Sequence, residues 1–99
     1  MNLIINPQDI YQKDPSIVSR EIAGEVILVP IRQDVGDLES IYTLNETAAQ
    51  AWTLFDGSHT VNQVQDKIVS EYEVDEDEAQ RDLIELIQQL EEIGAIVKV

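Results

Sequence analysis

His59 is the single histidine of the chain, and no cysteine accompanies it. Imidazole chemistry needs partners: further ligands for a metal, or a nucleophile and an orienting acid for group transfer. The residues around His59 supply none at workable spacing, so a polar turn between two helices is its expected setting. The acidic run Glu71, Glu73, Asp75, Glu76, Asp77 and Glu78 invites a calcium loop. A loop opening at Asp75 would require glycine and a bidentate glutamate where Gln80 and Leu86 stand. Acids that meet the positive end of a helix dipole explain the run instead.

Trp52 and Phe55 stand three apart among alanines, the spacing of core anchors rather than of a ligand-stacking pair. In Asp56-Gly57-Ser58 the serine follows glycine, which departs from the Asp-Ser-Leu order of a prosthetic-arm site. With four glycines there is no glycine-rich phosphate loop, and no carboxylate pair has a defensible geometry. No catalytic residue, cofactor site or metal site is therefore assigned, and an independent enzyme is not expected.

Ninety-nine residues, 43% of them apolar and 26% charged, make one small folded domain. Six Lys plus Arg against twenty Asp plus Glu give a formal net charge of −14. That field repels phosphate backbones and anionic lipid, so nucleic acid and membrane surfaces are unsuited as partners. It serves solubility, or it attracts a basic partner. The first residues, Met1 to Pro7, lack the charge and length of a signal peptide, and Val26–Ile31 is too short to cross a bilayer. Without cysteine, the composition suits a reducing cytoplasm.

The elements follow from periodicity. Residues 1–16 carry two prolines and no clear pattern, and read as an irregular arm; residues 17–99 form the domain. Ile17–Ile22 and Glu25–Val29 are β-branched-rich runs joined by Ala23-Gly24, a hairpin signal. After a polar turn, Leu38–Leu44 reads as a third strand, with Leu38, Ser40, Tyr42 and Leu44 on one face. From Asn45 the period lengthens to that of a helix. Asn45 caps a first helix that Gly57 ends, and Thr60 with Gln63 makes a capping box for a second. Asp75 with Glu78 predicts another capping box, opening a third helix with Ala79, Leu83, Leu86, Ile87, Leu90 and Ile93 on its apolar face. Gly94 is its stop, and Ala95–Val99 a last short strand. The layout is α+β: a three-stranded antiparallel sheet followed by three helices.

The third strand is then a sheet edge, whose free N–H and C=O groups suit addition of an extended peptide. The last helix offers a wall. Ile84 lies about 100° from Leu83 at the margin of the apolar stripe, sharing a flank with Gln80, Ile87, Gln88 and Glu91. The alternative is that Ile84 packs on the sheet or a loop.

The string Tyr42-Thr43-Leu44-Asn45-Glu46-Thr47-Ala48-Ala49-Gln50-Ala51-Trp52-Thr53-Leu54-Phe55-Asp56-Gly57 resembles the core pattern of the PqqD family. So do Gly24–Leu28, Thr60-Val61, Tyr72 and Leu90–Ile96, so that the resemblance spans residues from about 16 to 99. Ala51 departs from it, standing where many relatives carry a larger aliphatic residue. The resemblance implies a RiPP recognition element, a winged-helix-like domain that is not itself an enzyme. Such domains act as peptide chaperones in natural-product biosynthesis: they bind the leader of a ribosomally made precursor peptide and present it to a maturation enzyme, often a radical SAM protein. The leader adds beside the third strand, against the third helix. Carried onto this chain, the peptide-binding residues are Leu38, Glu39, Ser40, Ile41, Tyr42, Thr43, Gln80, Ile84, Ile87 and Gln88. Leu44, Asn45, Thr47, Ala48, Trp52 and Gly57 then specify the fold. A cytoplasmic monomer is expected. The competing readings are a winged-helix nucleic-acid-binding regulator, which the single Arg81 among the acids of the last helix disfavours, and a general protein-interaction module.

Overall fold

In the computed structural model the described residues are 5–30 and 42–99. They form β1 (Ile10–Lys13), β2 (Ile17–Ile22), β3 (Glu25–Pro30), β4 (Tyr42–Leu44), α1 (Glu46–Leu54), β5 (Asp56–Thr60), α2 (Val61–Tyr72), α3 (Glu76–Glu92) and β6 (Ile96–Lys98). Two antiparallel three-stranded sheets result, ordered β2-β3-β4 and β5-β1-β6.

The first sheet is the one read from the sequence. Ala23 and Gly24 both take positive φ, 53° and 85°, so the two-residue turn has the mirror-image geometry that matches strand twist. Ile22 pairs with Glu25, and β4 pairs with β3 through Val26 with Leu44 and Leu28 with Tyr42. Leu28 and Leu44 face inward and are buried, while Val18 and Ile22 stay exposed on the outer face.

The second sheet corrects the expectation of an irregular arm. Its central strand is β1, paired with β5 on one side and β6 on the other. Four residues between two prolines carry too little periodicity to announce a strand, and their partners lie far along the chain. Tyr11 is buried and meets Phe55 edge-on, with ring centroids 6.2 Å apart. The backbone carbonyls of Asp9 and Pro7 accept from the N–H groups of Val61 and Asn62, satisfying donors that the first turn of α2 leaves open.

The helices keep their predicted caps with two exceptions, the capping box of α3 and the end of α1. Asn45 accepts from the Ala48 N–H, and Thr60 and Gln63 form the full capping box. Asp75 caps α3 alone, accepting from Asp77 and Glu78, because a second carboxylate from Glu78 would be driven toward the first. At the other end Gly94 donates to Glu91 and Ala95 to Leu90, the paired bonds of a Schellman motif. α1 stops earlier than predicted, at Leu54 with Phe55 as cap, and Gly57 falls within β5. A Cβ on Gly57 would stand 3.3 Å from Gln12 Oε1, so β1 packs closely there. Ala51, Trp52, Phe55, Val64, Ile68, Leu83, Ile87, Leu90 and Ile96 fill one core between the sheets and helices.

α1 carries no basic residue in its last turn. Lys13 of β1 supplies the missing cation: its Nζ donates to the Phe55 carbonyl at 3.1 Å and lies 5.2 Å from the Trp52 ring centroid. Burial pushes the Lys13 ammonium pKa down, with the Asp56 carboxylate opposing.

Candidate functional site

β4 is an edge strand, with β3 as its one neighbour among the described residues. The hairpin fixes which of its groups face outward. A two-residue turn makes Ile22 and Glu25 a hydrogen-bonded pair, so alternation sends the backbone groups of Val26 and Leu28 toward β4. These engage Leu44 and Tyr42. The N–H and C=O of Thr43 are left on the open edge, and its side chain is exposed on the outer face.

Beside that edge runs a groove of about 480 Å³. One wall is Tyr42, Thr43 and Leu44 with Asn45, Thr47 and Ala48 at the start of α1. The floor is apolar: Ala51, Ile68, Val74, Ala79, Leu83 and Leu86. The opposite wall is α3, presenting Glu78, Asp82, Glu85 and Gln89. The Tyr42 hydroxyl and the Gln89 side-chain oxygen hydrogen-bond across the groove. The Tyr42 phenol pKa is raised, by burial first and by the Glu85 carboxylate second.

The predicted site residues divide. Tyr42 and Thr43 line the groove; Leu38, Glu39, Ser40 and Ile41 lie outside the described residues. On α3 the groove takes a flank other than the one read from the sequence. Ile87 is 0% exposed and belongs to the core, so it offers no open surface. Gln80 and Ile84, two residues either side of Asp82, each lie about 160° around the helix from it. Gln80, Ile84 and Gln88 are absent from the groove lining, which takes the other margin of the apolar stripe. The isoleucine at position 84 drew attention to one margin, whereas the packing of α3 on α2 and β6 turns the acidic margin toward β4.

Leu44, Asn45, Thr47 and Ala48, read from the sequence as fold-specifying, also line the groove. Glu78, Asp82, Glu85 and Gln89 were missed. Their signal was a polar row at helical spacing beside Leu86, which reads equally well as a solvated face.

His59 stands in β5 and not in a turn, its Nδ1 3.0 Å from Asp56 Oδ1. Ser58 donates to the same carboxylate through its backbone N–H and its hydroxyl. These bonds hold the Asp56 carboxyl well below the usual carboxylate range, the His59 bond contributing most. The serine therefore engages the acid rather than the imidazole, so Ser58 and His59 do not form a nucleophile–base pair. Among the described residues no group of three or more acidic, histidine or cysteine side chains is placed to hold a metal. Among the described residues no helix is long and apolar enough to cross a membrane.

A family model described as coenzyme PQQ synthesis protein D matches residues 25–96. The chain belongs to the PqqD family. The match runs from the start of β3 to the start of β6, and so covers β4, all three helices and every described wall of the groove. No curated protein matches the chain. Among solved structures, TbiB1 in complex with the TbiA(beta) leader peptide is similar with a TM-score of 0.72 and 24% identity, covering 86% of this chain and 93% of that one. Lasso peptide synthetase B1 complexed with the leader peptide gives a TM-score of 0.73 and 28% identity, covering 88% and 96%. The PqqD architecture of a three-stranded antiparallel sheet followed by three helices is thus shared with both. The second sheet is built from β1, β5 and β6 around it.

Proposed function

We propose that this protein is a non-enzymatic peptide chaperone that binds the leader of a ribosomally synthesised precursor by strand addition to β4. The leader lies in the groove between β4 and α3 and is presented to a maturation enzyme, of radical SAM or another type, in natural-product biosynthesis. One observation carries the reading: a strand edge unpaired among the described residues stands beside an apolar-floored groove. Main-chain bonds to Thr43 supply affinity, and alternate peptide side chains reach the floor for selectivity. Both similar solved structures are complexes with leader peptides, which supports this occupant. The protein acts as a cytoplasmic monomer. A nucleic-acid role is disfavoured by the −14 charge and by the acids of α3.

The test uses peptides encoded by short reading frames beside this gene, with affinity measured by calorimetry. A proline at Thr43 deletes the outward N–H while leaving the β3–β4 ladder its own bonds. Expected is a peptide that binds the native protein and loses at least tenfold in affinity to Thr43→Pro, with unfolding by urea little changed. Equal affinity for a correctly folded Thr43→Pro contradicts strand addition at this edge.

A further inference from the structure

The α3 wall of the groove is acidic. Glu78, Asp82 and Glu85 all line the groove. Among the described residues none of the three carries an ion pair, and Arg81, their neighbour on the helix, bridges to none of them. They share the groove lining with the apolar Ala79, Leu83 and Leu86 of the same helix. From Glu78 to Asp82 the helix rises about 6 Å, and from Asp82 to Glu85 about 4.5 Å. Side chains on one face of an extended peptide repeat every ~6.8 Å. The carboxylate spacing along α3 is thus comparable to the side-chain repeat of an extended peptide.

We infer that the groove is selective for an extended peptide that sets an apolar side chain on the floor and lysine or arginine at the adjoining groove-facing positions, opposite Glu78, Asp82 and Glu85. The inference rests on the leader-groove reading and adds its charge rule. Lysine and arginine fit because a long apolar stem follows the floor while the head reaches the carboxylates. An acidic side chain at the same positions meets three like charges. Burial raises the Tyr42 phenol pKa first, and the Glu85 carboxylate adds to it.

The test compares two synthetic extended peptides, identical except that leucine is flanked on the groove-facing side by lysines in one and glutamates in the other. Each is titrated into the native protein and into the triple variant Glu78→Gln, Asp82→Asn, Glu85→Gln, with amide shifts recorded at several salt concentrations. The three side chains are exposed, so the variant retains the fold. The lysine peptide is expected to shift Thr43 and Leu44 and to bind roughly tenfold or more tightly than its twin, as three rim charge pairs allow. The triple variant and added salt each erase that preference. Equal binding of the twins at Thr43 and Leu44, binding of neither, or lysine-peptide shifts confined to Glu71–Glu76 overturns the charge rule. The groove reading is judged separately, by whether a neighbour-encoded leader shifts Thr43 and Leu44.

Discussion

The Tyr42 hydroxyl and the Gln89 side-chain oxygen join β4 to α3 across the open groove. That polar tie spans the two walls between which a peptide would lie. Removing the hydroxyl with Tyr42→Phe keeps the ring on the core and deletes only the bond. Because the bond is exposed, the expected loss is about 0.5–1 kcal/mol in urea-induced unfolding. A loss above about 3 kcal/mol would mean that the tie organises the sheet itself.

Ile84 and Ile87 are expected to behave as different kinds of residue despite their shared side chain. Ile87→Ala opens a cavity in a fully buried position and costs about 2–5 kcal/mol. Ile84→Ala, at a half-buried position away from the groove, costs about 1 kcal/mol and leaves peptide affinity unchanged. Urea unfolding and calorimetry of the two variants check both halves. Weakened peptide binding by a folded Ile84→Ala would restore the flank read from the sequence.

That flank shows where the sequence stops being legible. Helix identity, caps and apolar stripe are local properties, and Asn45, Thr60, Asp75 and Gly94 announce them within a few residues. Which margin of the stripe meets β4 is a tertiary fact, set by how α3 rolls against α2 and β6. Hydrophobicity favoured the Ile84 margin because an acidic margin looks like solvated surface. The strand β1 was hidden for a related reason: Tyr11 and Ile10 gain their partners only when β5 and β6 arrive from the far end of the chain. β5 spends the five residues from Asp56 to Thr60 opposite the three from Ile10 to Gln12 of β1, an irregularity that masks any alternation.

Lys13 is expected to matter for stability more than a surface lysine would. Lys13→Met preserves the stem but removes the bond to the Phe55 carbonyl and the charge over Trp52. The expected loss is about 1–2 kcal/mol by urea unfolding at neutral pH. Lys67→Met, on the exposed face of α2, serves as control and is expected to change stability by less than about 0.5 kcal/mol.

Stability is expected to fall at both ends of the pH scale, for identifiable reasons. Burial, with the Glu91 and Asp9 carboxylates, pushes the Tyr11 phenol up to about 12. A raised folded pKa means that the contribution is full below pH 10 and is lost as pH rises from 10 toward 12. Lys13, whose pKa is lowered, acts with the opposite sign just below its ordinary 10.5. Tyr11→Phe should therefore flatten the alkaline decline. At the acid end Asp56 is depressed, so its contribution is present above 3.8 and lost as pH falls through its folded value. Asp56→Asn should make the acid limb shallower. Chemical denaturation of the three proteins across the pH range measures these slopes. Unchanged limbs would remove Tyr11 and Asp56 as their causes.

The placement of the peptide between β4 and the acidic margin of α3 is tested most directly by residue-resolved amide shifts as a neighbour-encoded leader is titrated into the protein. Shifts are expected at Thr43, Leu44, Thr47, Asp82, Glu85 and Gln89, with Gln80, Ile84 and Gln88 unmoved. Shifts centred on Gln80, Ile84 and Gln88, with Thr43 and Asp82 still, would contradict it.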